Sequence, residues 1–132
     1  MLNADTHPSL SSRTILVVED EVLLRLMVCD VLRDAGFRVI EAASADEAMA
    51  CVQSDPRVDL VFTDVKMPGS MDGLALARRL KREFPHIQVV LASGHLLEKD
   101  LEPGTLLFTK PYPIEETAAR VIAILDAKGS AP

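Results

Sequence analysis

The chain has no tryptophan, a single tyrosine and only four phenylalanines, so aromatics make up 4% of its 132 residues. Its core must therefore be aliphatic. Cysteine is equally scarce. Cys29 and Cys51 both fall inside apolar helical patterns, and no CxxC pair exists. That excludes a disulfide scaffold or a thiol redox motif and leaves both residues as small buried hydrophobes. Positive charge is in deficit, with 14 Lys and Arg against 20 Asp and Glu, for a net charge of -6. Such a surface repels phosphate backbones, so no direct contact with nucleic acid is expected. No apolar run approaches the length of a membrane span. The stretch from Met1 to Ser12 is polar and Ser-rich, without the apolar centre of a signal peptide. The expectation is a cytoplasmic protein with no membrane contact.

What remains is the balance of a soluble globular domain, 48% hydrophobic and 26% charged. Short apolar runs alternate with amphipathic segments. Ile15-Leu16-Val17-Val18, Leu60-Val61-Phe62, Val89-Val90-Leu91-Ala92 and Leu106-Leu107-Phe108 are continuously apolar, and Arg38-Val39-Ile40 is a weaker version. Continuous runs of this length suit strands buried on both faces of a parallel sheet. Between them, Leu24, Val28, Val31, Leu32 and Ala35 recur at helical spacing before Gly36. Ser44 with Glu47 reads as a capping box opening a second helix. Leu74 to Phe84 forms a third, ended by Pro85. Ile114, Ala118, Val121, Ile122 and Leu125 form the last, with Pro113 near its start. Between the fourth and fifth strands, Leu96 to Leu101 leaves room for one or two helical turns at most, because Pro103-Gly104 comes next. The predicted α/β fold is an open five-stranded parallel sheet with helices on both faces and a fourth helix short or absent. Residues 13–127 would form the domain, with tails at 1–12 and 128–132.

Ligands of such sheets bind beyond the carboxyl ends of the strands, and there the apolar runs give way to polar residues. The first run leads to Glu19-Asp20, the third to Thr63-Asp64, the fourth to Ser93-Gly94 and the fifth to Thr109-Lys110-Pro111. Each piece alone reads as an ordinary loop, cap or surface residue; the information lies in their joint placement. Two like charges at 4 Å repel by about 4 kcal/mol at an effective dielectric near 20. Three converging carboxylates therefore need protons or a cation, and an all-oxygen set with few carboxylates suits Mg²⁺. Asp64 is a candidate nucleophile for phosphoryl transfer. Lys110 and Ser93 are candidates to hold the transferred group by charge and hydrogen bonding.

The residues Ile-Leu-Val-Val-Glu-Asp-Glu (15–21), Asp-Leu-Val-Phe-Thr-Asp-Val-Lys-Met-Pro (59–68), Met-Asp-Gly (71–73), Leu-Ala-Ser-Gly (91–94) and Thr-Lys-Pro-Tyr (109–112) resemble the receiver domains of bacterial two-component response regulators. The resemblance covers the chain from Thr14 to about Ala127. It implies a single-domain, chemotaxis-regulator-like protein with the flavodoxin-like strand order 2-1-3-4-5. By position, Asp64 would be the phosphoacceptor, while Asp20 directly, Glu19 through water and the Lys66 carbonyl would hold Mg²⁺. Ser93 and Lys110 would contact the phosphoryl group, and the Lys110–Pro111 peptide would be cis. The donor would be a histidine kinase or a histidine phosphotransfer protein. Apart from its own phosphorylation and dephosphorylation, such a domain catalyses nothing. Relatives dock the donor through the first helix, and the matching outward positions are Glu21, Val22, Arg25, Leu26 and Cys29. The downstream protein is not legible, and a monomer or weak homodimer is expected.

The sequence also departs from the pattern. The loop from Met67 to Gly73 carries one extra residue, and Leu107 stands where many relatives have an aromatic that couples to the Ser/Thr hydroxyl. A phosphorylation-independent protein-binding module is therefore the alternative to a phosphorylation switch. A phosphohydrolase using the same aspartate would need a second aspartate two residues on, where Lys66 stands. Lys66 is instead expected to hinder water attack on the aspartyl phosphate. His95 is read mainly as a surface histidine.

Overall fold

Each apolar run is a strand, and each amphipathic stretch between them that the structure describes is a helix. The computed structural model describes residues 13–55, 57–95, 101 and 103–129. The order is β1 (Thr14–Val18), α1 (Val22–Asp34), β2 (Arg38–Ala42), α2 (Ala45–Ser54), β3 (Leu60–Asp64), α3 (Gly73–Glu83), β4 (Gln88–Ser93) and β5 (Leu106–Thr109). A 3₁₀ turn (Ile114–Glu116) then leads into α4 (Thr117–Gly129). All strand pairs are parallel, in the order β2-β1-β3-β4-β5. This is the order that the resemblance implied.

The runs are unbroken because both faces of the sheet are covered. Side chains alternate across a strand. Leu16, Val18, Val61, Val89 and Leu91 point to one side, where α2 and α3 supply Met49, Val52, Leu76 and Leu80. Ile15, Val17, Leu60, Phe62 and Val90 point to the other, against Val28 and Leu32 of α1 and Val121 and Leu125 of α4. The three phenyl and phenol rings near β3 and β5 form a small cluster. Phe62 lies 5.1 Å from Phe108 and 5.8 Å from Tyr112 between ring centroids.

The helix ends result from local chemistry. Gly36 takes φ 108°, which stops α1. Ser44 Oγ accepts the Glu47 N–H at 3.1 Å, half of the expected capping box. The Glu47 carboxylate returns one residue earlier than the motif predicts, to the Ala43 N–H at 3.0 Å. Asp72 caps α3 by accepting the Ala75 N–H at 2.9 Å, a cap the helical spacing alone did not reveal. The last helix continues to Gly129. The expected short fourth helix, apart from Leu101, and the tail residues 1–12 and 130–132 lie outside the described residues.

Candidate functional site

Parallel register brings the polar residues to one edge. Val18 pairs with Thr63, Asp64 with Ala92, and Ser93 with Thr109, so β1, β3, β4 and β5 end nearly level. Backbone bonds extend this order one residue into the loops. The Glu19 N–H donates to Ala42 O at 3.0 Å, Val65 N–H to Ala92 O at 3.2 Å, and Lys110 N–H to Ser93 O at 2.9 Å. The loops carrying the acids are therefore extensions of the sheet rather than free segments.

Glu19, Asp20 and Asp64 each offer a carboxylate oxygen within 4.8 Å of the others. Glu19 is buried, Asp64 half-buried and Asp20 exposed, so the cluster runs from the interior to solvent. The Lys110 ammonium donates to Asp64 Oδ1 at 2.8 Å, and the Val65 N–H donates to the same oxygen at 3.0 Å. Ser93 is buried at the end of β4, and its Oγ accepts the His95 N–H at 3.0 Å. Lys110 comes directly after β5 and leads through a cis peptide to Pro111, as expected. The three acids form an all-oxygen set open on one side, which fits a hard divalent cation that keeps part of its water.

The electrostatics reflect that crowding. Burial pushes the Glu19 carboxyl up to about 7, aided by the Asp64 charge and opposed by the Glu21 N–H and Lys110. Burial lowers the proton affinity of Lys110, but its hydrogen bond to Asp64 and the charges of Asp64, Glu19 and Glu21 outweigh it, so the net shift is upward. The Tyr112 phenol is pushed up to about 12 by burial and by the charges of Glu19 and Asp64. Tyr112 lines a small cavity together with Glu19 and Asp64.

Residues 15–105 match the family described as response regulator receiver domain. This chain belongs to that family. The receiver is 38% identical over 121 residues to the phosphate regulon transcriptional regulatory protein PhoB of Escherichia coli K12, covering 86% of this chain and 52% of that protein. It thus spans about half the length of that regulator. It is 31% identical over 121 residues to sporulation initiation phosphotransferase F of Bacillus subtilis, covering 88% of the receiver and 96% of the relative. The crystal structure of a response regulator receiver protein from Sinorhizobium medicae superposes with a TM-score of 0.80 at 30% identity, covering 91% of this chain and 99% of that one. The acidic triad of this receiver matches the family's Mg²⁺-binding pattern.

The structure corrects the expected outward face of α1. Glu21, Val22 and Leu26 are exposed, Val22 by 56% and Leu26 by 42%. Cys29 is not on that face, and of its two readings the buried small hydrophobe is the one that holds, while Cys51 is only half-buried. Cys29 is fully buried in the core beneath α1, and burial pushes its thiol up to about 11. Arg25 is also turned inward, with its guanidinium engaged by the Glu19 carbonyl and the Glu41 carboxylate. The rotation of α1 instead exposes Leu23 by 75% and Met27 by 51%. Pairing each expected outward residue with its neighbour in sequence would have found them, since Leu23 and Met27 sit one position after Val22 and Leu26. Among the described residues, no helix is long and apolar enough to cross a membrane.

Proposed function

We propose that this receiver accepts a phosphoryl group on Asp64 and signals through protein contacts. The observation that carries the reading is one arrangement: three carboxylates within 4.8 Å of one another, with the Lys110 ammonium 2.8 Å from Asp64 at the same strand edge. Glu19, Asp20, Asp64 and the Lys66 carbonyl would hold Mg²⁺, which supplies charge neutralisation for phosphoryl oxygens. The Asp64 carboxylate attacks phosphorus while the bond to the donor nitrogen breaks. Lys110 lets go of Asp64 and pairs with a phosphoryl oxygen, and the Ser93 hydroxyl donates to another. The likeness to a sporulation initiation phosphotransferase supports phosphoryl exchange, and the donor is a histidine kinase or histidine phosphotransfer protein, as the family resemblance implies. The exposed apolar turn of α1, Val22, Leu23, Leu26 and Met27, is the docking surface. Outside that exchange the domain turns over no substrate.

Incubation with a small phosphodonor and Mg²⁺ tests the reading. Intact mass should rise by one phosphoryl group, with hydroxylamine reversing it. Asp64→Asn should take up none, and EDTA should block uptake in the wild type. Label that persists in Asp64→Asn would place the acceptor elsewhere.

A further inference from the structure

Glu19 is pinned at three points. Its N–H donates to Ala42 O at 3.0 Å, its Oε2 accepts the Glu21 N–H at 3.0 Å, and its carbonyl accepts from Arg25 Nη1 at 2.7 Å. The first bond ties the loop directly to β2, and the third ties its carbonyl there a second time, through Arg25 of α1. Arg25 Nε also donates to Glu41 Oε1 at 3.1 Å, and Glu41 stands on β2, one residue before Ala42. A second cation, Arg33, holds the other oxygen of Glu41 at 3.2 Å and also donates to Val39 O. The carboxylate of Glu41 is therefore oriented from both sides. Burial alone would raise its proton affinity, but the bonds from Arg25 and Arg33 prevail and lower it.

The two arginines are not equivalent. The Arg33 side chain is 43% exposed and that of Arg25 only 16%, so Arg25 is the less screened and the more tightly held. Its planar fork reaches a carbonyl and a carboxylate at once, which a lysine ammonium on a flexible stem does not reproduce. The segment between β1 and α1 is short, and it presents Glu19 and Asp20 at adjacent positions. Fixing the Glu19 carbonyl therefore fixes the peptide plane that links the two acids.

We propose that Arg25 is a positioning residue for the acid pair, a strut from β2 through Glu41 to the Glu19–Asp20 peptide that sets the geometry in which those acids meet Mg²⁺. The role of Arg25 rests on the Mg²⁺-dependent reading of the site. Its expected effect has a sign opposite to simple electrostatics. A cation near a dication site repels the ion, so removing the Arg25 charge should tighten Mg²⁺ binding if charge were its only role. If Arg25 acts by position, removing it weakens binding. Substituting residues that orient metal ligands typically costs about tenfold or more in affinity.

The experiment is a Mg²⁺ titration of the full chain monitored by the emission of Tyr112, the only tyrosine in a protein without tryptophan, with calorimetry as an independent readout. Urea unfolding in EDTA checks each variant's fold. Arg25→Ala should bind Mg²⁺ about tenfold more weakly than the wild type. Arg25→Lys, which keeps the charge and one donor, should also bind more weakly but by less. Glu41→Ala combined with Arg25→Ala should be no worse than Arg25→Ala alone, because both act through one strut. Equal or tighter binding in Arg25→Ala overturns the proposal. If Arg25→Ala does not fold, unchanged affinity in Arg25→Lys overturns it equally. A wild-type protein that binds no Mg²⁺ by either readout defeats the proposed site itself, and the role of Arg25 with it.

Discussion

Replacing Glu19 with Gln should make the metal-free receiver more stable at high pH while disabling its site. The Glu19 carboxyl is raised from 4.5 to about 7, chiefly by burial. The unfolded chain releases this proton near 4.5 and the folded chain holds it to about 7. Between those limits the folded state binds more protons, so stability falls as pH rises. The contribution is complete below 4.5 and gone above 7. At about 1.4 kcal/mol per tenfold change in proton affinity, the loss is roughly 3 kcal/mol. That is a large part of the roughly 5–15 kcal/mol of a whole domain. A glutamine carries no charge at any pH, and its carbonyl oxygen can still accept the Glu21 N–H. Urea unfolding in EDTA, near pH 4.5 and well above 7, measures the effect. The variant should gain on the wild type by about 3 kcal/mol between the two conditions. Comparing the two proteins cancels the titration of groups that the substitution leaves alone. With saturating Mg²⁺ above pH 7 the order should reverse, because only the wild type gains the full binding energy of the ion. A wild-type-to-variant difference that stays constant across the range would refute the reasoning, since burial would then not be withholding the charge.

Gly73 lies so close to β3 that a Cβ there would strike the Asp64 carbonyl oxygen and come within 2.8 Å of Val65 Cα; Gly73→Ala should cost about 1–3 kcal/mol in urea unfolding and slow small-donor labelling of Asp64. Leu91 is fully buried between the sheet and α3, so Leu91→Ala should cost about 2–5 kcal/mol, read as a lower urea midpoint with an unchanged slope. Val22→Lys with Leu26→Lys should slow phosphotransfer from a kinase but leave small-donor labelling unchanged; equal loss in both assays would place these residues in the chemistry rather than in docking. Lys66 is exposed two residues after Asp64, and Lys66→Ala should speed decay of the aspartyl phosphate if its side chain hinders water; an unchanged half-life would dismiss that role.

Much of this protein is legible without coordinates because its signals are local. An unbroken run such as Ile15 to Val18 announces a strand covered on both faces, since an exposed face would demand alternation. In a parallel sheet all strands point the same way, so residues that end their runs must share an edge. Glu19, Asp64, Ser93 and Lys110 could thus be gathered from sequence order alone. The expectation for α1 was wrong at two positions for a related reason. Helical spacing says which residues share a face, but not how far the helix is rolled about its axis against the sheet. That roll is set by packing Val28, Cys29 and Leu32 onto β1 and β3, and it decides that Cys29 is core, that Arg25 reaches Glu19 and Glu41, and that Leu23 and Met27 face solvent. The acidity of Glu19 is likewise invisible in sequence, because it depends on how much water the neighbouring strands leave around its carboxyl. Sequence determined which chemical groups arrive at the rim; only tertiary packing decided how dry each is and what holds it, because desolvation and orientation belong to surfaces that distant segments make together.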